Sequence, residues 1–564
     1  MTASPIPIPL LLSLVSATES VLVVFVFPHA LPQATLKSLF FILSVTNFGF
    51  YAVWRVFIYP FFFSPLRHLP GPKGISRGEY PLIGHGLSMF SRPPGGHLLE
   101  FMKEVPNDGL IHFRGFFHVG RLLPTDPRAL ADVLVHNSYD IEKPPWVRSF
   151  LRQFLGDGLL ISEGEEHKFQ RKHIMPAFSF RHIKELYPIF WQKSLELTEA
   201  IAAEIHEHPE VPAGEKGGVP SGVVVINHWA SKATMDIIGL AGLGRDIQAL
   251  KNSDDELIKN YEEILEPTTE KGLYFVLNLL ISQRLLRALP WRINEVIRIT
   301  SSNLKAICRQ FVQEKKQLMR TQKEDQKDIL SVLIESNDFS DDSLVDQLLT
   351  FLAAGHETTS SAFTWVTHLL AINPDIQSTL RKEVFANLPS PSTSPVSGDD
   401  ISALLESLPY LNGVCAETLR LFPTIPVTSR ITTRPTTISD NPIPAGIQVI
   451  VAPWAINRSP TLWGSDAEVF RPERWIDYST SPPRFNGSGG ADSNFAFSTF
   501  IQGPRSCIGE RFARAELRAL VAVFVGKFMM EMADPNEVVV PAGTITLKPK
   551  NGMHLRLRAV DGEW

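Results

Sequence analysis

Phe500-Ile501-Gln502-Gly503-Pro504-Arg505-Ser506-Cys507-Ile508-Gly509 frames a single cysteine with two glycines, a proline and an arginine. Glycines at 503 and 509 let the backbone approach a flat ligand closely, Pro504 stiffens the turn, and Arg505 reaches for an anionic group. A helical run, Glu510 to Arg518, follows at once. Cys507 therefore sits just before a helix N-terminus, where free N–H groups and the dipole favour thiolate over thiol. Read alone, the stretch suits either a metal-ligating thiolate or an inert loop cysteine.

The rest of the chain narrows that choice. Its 564 residues, 44% hydrophobic and 20% charged, suffice for one large domain or several ordinary ones, and they exclude a disordered or low-complexity chain. A net charge of −5 carries no global signature of a nucleic-acid partner. The other cysteines, Cys308 and Cys415, are far apart without C-x-x-C spacing, which argues against a disulfide framework or structural zinc and for a reducing compartment. Both fall in helical patterns and are read as core residues.

Two apolar pieces open the chain, Ile6 to Leu31 interrupted by Glu19, and Ser38 to Phe63 interrupted by Arg55. Residues 37–63 have the length and composition of a transmembrane anchor, with Tyr51, Trp54 and Tyr59 as an aromatic belt and Arg67, His68 and Lys73 marking a cytosolic flank. Residues 1–36 offer a second span or an interfacial helix, because Glu19 is costly at mid-bilayer. Leu69-Pro70-Gly71-Pro72-Lys73 breaks any helix, so residues 64–75 are a stiff connector and 76–564 one large domain. Pro209–Pro220, Leu388–Ser397 and Ser479–Ser493 read as surface loops within it. Asn486-Gly487-Ser488 is a formal glycosylation sequon which this topology would leave unmodified. Periodicity is mainly helical, as over Asp346–Ala371 and Leu404–Leu421, with short β-rich runs at Gln448–Ala452 and Thr544–Leu547. The fold class is mainly α with small β-sheets.

Three further stretches carry chemistry. Ala354-Gly355-His356-Glu357-Thr358-Thr359 places a glycine and polar groups mid-helix, where Gly355 costs roughly 1 kcal/mol and so suggests removal of bulk beside a ligand. Thr358 would break the i→i−4 ladder there and hold a water. An H-E-x-x-H zinc site is excluded because position 360 is serine. Glu417-Thr418-Leu419-Arg420 puts acid and base on one helix face, and Arg171 closes the basic helical run Gly164–Lys172.

The F-x-x-G-x-R-x-C-x-G pattern resembles the haem-binding loop of the cytochrome P-450 family, and the other stretches resemble its A-G-x-D/E-T-T and E-x-x-R motifs. The connector resembles the proline-rich hinge of membrane-bound, fungal microsomal members. The resemblance implies a single haem domain behind a membrane anchor, with Cys507 as the axial ligand of haem iron and Phe500, Gly503, Arg505 and Gly509 around it. It implies Glu357 and Thr358 as the proton-delivering acid and alcohol, and Glu417, Arg420 and Arg474 as a semi-buried charge triad. Arg171 and Arg430 would hold haem propionates, with His167 standing where the family usually has tryptophan.

The cofactor would be haem b, with electrons from NADPH through a separate FMN/FAD flavoprotein reductase, because no region remains to bind those cofactors in this chain. Lys168, Lys172, Arg511, Arg514 and Arg518 would offer the reductase a positive face. The resemblance further implies a monooxygenase at the cytosolic face of the endoplasmic reticulum membrane, acting with O2 on a lipophilic small molecule of secondary metabolism. By family position the pocket draws on Trp146–Phe154, Gly272–Leu280, Ala354–Thr358, Ile425–Thr428 and Gly543–Ile545. A haem-thiolate isomerase or dehydratase and a haem-binding sensor are the alternatives, and neither needs Glu357 and Thr358.

Overall fold

The computed structural model describes residues 7–26, 35–74, 77–209, 221–252, 256–265, 268–281, 283–321, 327–389, 398–543 and 545–560. Most of the loops expected at Pro209–Pro220 and Leu388–Ser397 lie outside these residues, as does Thr544. The chain divides into two units, residues 1–88 with 111–122, and residues 89–110 with 123–564.

In the first unit, helices α1 (Ile8–Val26) and α2 (Leu36–Val53) pack on each other, and α2 runs on as a π-helical stretch, Trp54–Phe63, that contains Pro60. Ile8–Val26 and Leu36–Phe63 are each long and apolar enough to cross a membrane. Glu19 has a partner: Asn47 donates to its Oε2 at 2.7 Å and to Ser16 Oγ at 3.1 Å. In hydrocarbon such a pair removes part of the cost of both polar groups and ties the helices together. Ser64 N donates to Tyr59 O at the end of this stretch, and the Ser64 hydroxyl caps the next turn, Pro65–His68, by accepting from Leu66 N. Leu69 to Lys73 then runs extended along strand β1 (Leu110–Arg114), with His112 N donating to Pro70 O at 2.8 Å. Strand β2 (Gly120–Pro124) completes a hairpin with β1.

The second unit is mostly helical with small antiparallel sheets. Its centre is a shared apolar core of four helices, α4 (Phe180–Glu207), α5 (Ile226–Leu243), α6 (Asp341–Ile372) and α8 (Glu510–Lys527). Two shorter ones, α3 (Gly164–Ile174) and α7 (Pro409–Leu421), carry charged residues of interest. Helix α6 starts where Ser340 caps it by accepting from Ser343 N at 3.2 Å, and it buries Leu348, Leu352, Phe363 and Trp365. Phe363 meets Phe524 of α8 edge-on at 5.2 Å, and Trp365 stacks on Phe422 at 4.3 Å. Cys308 and Cys415 are buried core residues, as expected. In one sheet, β5 (Thr428–Thr432) pairs with β3 (Ile141–Glu142) and with β6 (Gln448–Val451). In another, β8 (His554–Ala559) lies between β4 (Ser221–Val225) and β7 (Phe528–Met532).

The differences from the sequence reading have local causes. The helix expected over Leu404–Leu421 is two, 398–407 and α7, because Pro409 has no N–H to continue the ladder and starts a new helix instead. The β-rich run Thr544–Leu547 is no strand in its described part, Ile545–Leu547, which lies in the bend between paired strands Pro541–Ala542 and Lys548–Pro549. Gly355 does not make room for a ligand: a Cβ there would lie 2.8 Å from the Ile238 side chain, so the glycine lets α5 approach α6.

Candidate active site

The Cys507 loop is held under tension. Cys507 N donates to Phe500 O at 2.9 Å, closing the loop, and Ile501 takes φ +52°, a conformation a β-branched residue adopts only under constraint. Gly503 has φ +77°, and a Cβ there would fall 2.1 Å from Leu134 O. Its lack of a side chain therefore serves the seating of the loop on the protein, which corrects the reading of Gly503 as a close approach to a ligand. Gly509 is different, with nothing nearer to its Cβ position than Phe178 at 3.8 Å and Cys507 Sγ at 4.0 Å. Phe500 and Phe497 lie under the Arg514 guanidinium.

Cys507 faces open space, yet protein surrounds it closely enough that burial pushes its thiol up to about 11. The two facts together describe a cysteine at the wall of an internal cavity. The expectation of a thiolate from the helix end alone is thereby corrected, since the Gly509 N–H and Arg171 lower the pKa less than burial raises it. A bound metal ion removes that proton outright. Phe178, whose ring touches the Gly509 position, also packs against Phe351 of α6 at 5.6 Å, so a single ring connects the loop to the middle of α6. There Ala354 is exposed between buried Leu352 and His356.

Beside the cysteine stands an excess of cations. Arg171, on α3, donates to Ser506 O and, at 3.1 Å, to Ser506 Oγ, and so holds the residue before Cys507. Arg505 is buried and pairs with Glu163, donates to Ser138 O and lies over the Tyr139 ring at 4.6 Å. Arg430, 2% exposed on β5, donates to Thr428 Oγ1 and Ser429 O and to no carboxylate among the described residues, and burial pushes it down to about 10. Lys143 joins them, pushed down to about 7 by burial and by Arg430. Arg148 pairs loosely with Glu142 at 3.9 Å. Among the described residues, four guanidinium cations and a lysine held near 7 thus meet two carboxylates, Glu142 and Glu163. His167 is buried beside Tyr139 OH at 3.3 Å and held near 4 by burial and by Arg505, so it is a neutral imidazole.

On α6, Thr358 Oγ1 donates to Ala354 O at 2.7 Å. Glu357 is turned away from it and accepts from Thr546 Oγ1 and from Lys548 Nζ, both at 2.7 Å, with His356 Nε2 at 3.7 Å. Burial alone would raise the Glu357 pKa, but Lys548, His356 and the Thr546 bond outweigh it and hold the carboxyl below its usual value. Lys548 is partly exposed, which gives the buried acid a neighbour at the surface. Replacement of Lys548 by Met leaves burial opposed only by His356 and the Thr546 bond, and is expected to lift the folded-state pKa of Glu357 above its unfolded value. In the native chain the ionised acid adds stability that is lost as pH falls through its depressed pKa; in the variant, stability instead falls as pH rises above the unfolded value. The gap between the two urea midpoints is expected to widen from pH 5 to pH 8, and a constant gap would show that Lys548 does not set this pKa.

The charge triad is more buried than expected. Arg420 makes two 2.7 Å bonds to the Glu417 carboxylate, and Arg474 reaches it at 3.3 Å. Trp475 Nε1 and Arg471 N complete its shell at 2.8 and 3.1 Å. Arg420 also donates to the carbonyls of Asn457 and Ala467. Asn457 carries this order to the cysteine loop: it donates to Arg420 O and Thr499 Oγ1 and accepts from Ser498 N.

The positive face expected from five residues shrinks on inspection. Arg518 is turned inward to Asn412 and Tyr187, Arg514 is paired with Glu510, and Lys168 with Glu165. Lys172 and Arg511 remain exposed. Two of the expected pocket segments do meet, where Phe150 packs on Phe154, Tyr274 and Phe275. Sequence reading missed Lys143, Glu163, Asn457, Thr499, Thr546 and Lys548. A lysine directly before Pro144-Pro145 was the one visible hint, since proline neighbours restrict its backbone to an extended form.

A thiol at a cavity wall and a surplus of buried cations beside it fit a flat metal macrocycle that carries two carboxylates, as haem b does. The chain matches the cytochrome P450 family over residues 116–556. It is similar to the cytochrome P450 monooxygenase sphH of Aspergillus fumigatus, 39% identical over 90% of this chain and 91% of that protein. The cytochrome P450 monooxygenases ALT8 of Alternaria alternata and ptmK of Penicillium ochrochloron are each 37% identical, over 91% and 92% of this chain and 93% and 99% of theirs. The chain belongs to the cytochrome P450 family, and it is a monooxygenase, an oxidoreductase that incorporates molecular oxygen.

Proposed function

We propose that this chain hydroxylates, or performs a related single-oxygen oxidation on, a lipophilic small molecule of secondary metabolism, from a membrane-anchored position on the cytosolic face of the endoplasmic reticulum. The observation that carries the reading is the cavity-facing Cys507 beside cations that lack carboxylate partners. Haem bound to a thiolate supplies oxidative activation of O2. In balance, substrate, O2, two electrons and two protons give oxidised product and water.

The residues divide that work. Cys507 Sγ would ligate the haem iron, and Arg171, Arg430, Arg505 and Lys143 would hold the two carboxylates, with neutral His167 as a further donor. Phe500, Gly503 and Gly509 shape the loop around the thiolate. Glu357 Oε1 exchanges protons with the surface through Lys548, and Thr358 Oγ1 holds a proton over the cavity. Glu417, Arg420 and Arg474 keep the loop in place. Electrons come from NADPH through a separate FMN/FAD reductase, which docks where Lys172 and Arg511 remain exposed. Two spans, α1 and α2, would put the N-terminus on the same side of the membrane as the large domain, and the Asn486 sequon in the cytosol.

Terpenoid, steroid, polyketide and fatty acyl compounds screened for spin-state shifts would find candidate substrates. Turnover of a hit with reductase, NADPH and 18O2 is expected to place one labelled atom in the product. A product without label would overturn the monooxygenation proposed for that substrate.

A further inference from the structure

We infer that a cleft at the foot of the second apolar helix binds the phosphate group of an anionic phospholipid. The inference rests on the reading of Leu36–Phe63 as a membrane anchor. The cleft, of about 210 Å³, is lined by Phe61, Arg67, Lys73, His112, Phe113 and Arg114 among others, and all of these belong to the first unit. That volume takes a phosphate ester and excludes acyl chains, which would run outward along the exposed Phe62 and Phe63.

Its charge is unbalanced. Glu79 is engaged by Arg114 at Nε, 2.7 Å, and by Gly74 N, which leaves it no further role in the cleft. Arg67 donates to the neutral Phe62 carbonyl, and Lys73 has no acidic partner among the described residues. Two positive charges therefore remain for an anion. His112 is buried in the wall as a neutral imidazole, and its Nε2, beside Gly120, adds no charge to oppose the two cations.

The wall is also built to last. A Cβ on Gly71 would lie 1.9 Å from His112 O, so the connector touches β1 backbone to backbone, and the Arg114 guanidinium is fixed over the Phe61 ring at 4.2 Å. Tyr51, Trp54 and Tyr59 precede the cleft within about three helical turns and mark the depth at which aromatic rings meet headgroups. Cations at that depth face the negative surface of an anionic leaflet. The shared chemistry is a phosphate; the position selects the lipid over a free ion.

The test places the full chain in phosphatidylcholine nanodiscs doped with phosphatidylglycerol, strips loosely held lipid with mild detergent, and counts the retained phospholipids by mass spectrometry. The native chain is expected to retain phosphatidylglycerol roughly tenfold above its bulk proportion. Arg67→Ala with Lys73→Ala should retain it at the bulk proportion, while Arg67→Lys with Lys73→Arg, and Lys550→Ala elsewhere on the surface, should match the native chain. Equal retention by native and double-alanine chains would overturn the site. Complete displacement by inorganic phosphate would assign the cleft to a free anion and overturn the lipid. A chain that fails to enter nanodiscs would overturn the anchor itself, and with it the access of lipid to the cleft.

Discussion

Cys507→Ser is expected to abolish the thiolate band of the reduced, carbon monoxide-bound protein and to lower turnover at least roughly a thousandfold, about 4 kcal/mol in barrier. The size of the effect follows from the arrangement. Cys308 and Cys415 are buried in helices of their own, so no second thiol among the described residues can substitute. A serine hydroxyl is nearly isosteric, keeps the Cys507 N to Phe500 O bond and the Arg171 to Ser506 bonds, and so should leave the loop folded. What it removes is the soft, electron-rich donor that favours O–O cleavage. Cys308→Ala serves as the control, since it deletes a buried thiol in helix 292–321 and should keep the band. A Cys507→Ser protein with a normal thiolate band would refute the assignment of the ligand.

Glu417→Ala is the second large effect, and it acts on stability rather than chemistry. The substitution leaves Arg420, 0% exposed, and Arg474 buried against each other without their shared carboxylate. Breaking such a pair costs roughly 3–5 kcal/mol, a large part of the stability of a domain. Trp475 Nε1 and Arg471 N lose their acceptor at the same time. Because Asn457 joins Arg420 to Ser498 and Thr499, disorder at the triad passes to the cysteine loop. Expressed protein should contain little haem and melt well below the native chain. Arg420→Ala should act in the same direction, since it leaves the buried Glu417 carboxylate with Arg474 as its only ion-pair partner among the described residues and removes the Arg420 bonds to the Asn457 and Ala467 carbonyls. Normal haem occupancy in either variant would show that the triad does not support the loop. Asn457→Ala separates the two roles: it keeps all three charges, so a loss of haem with a smaller loss of stability would locate the link at the asparagine.

The cysteine loop, the mid-helix acid and alcohol, and Glu417 with Arg420 were all legible in the chain, because each is a short motif whose spacing is set by one turn or one helix. Helix α6 was legible too, apart from its ends. The two membrane-length segments followed from composition alone, while the partner of Glu19 did not, since Asn47 lies 28 residues away on another helix. The β-rich run at Thr544–Leu547 misled because β-propensity reports a fit to a half-buried surface, which the bend of a hairpin also provides.

Sequence by itself determined the family and the reaction class, since local chemistry at fixed spacing suffices for these. Only the tertiary structure decided which charges meet. Arg505 finds Glu163 across 342 residues and Thr546 finds Glu357 across 189, and neither approach leaves a trace in spacing. It also decided what the glycines are for, Gly355 and Gly503 being required by Ile238 and Leu134 of distant segments. The physical reason is that a buried charge or a missing Cβ is defined by its neighbours in space, and helix packing rather than chain order chooses those neighbours.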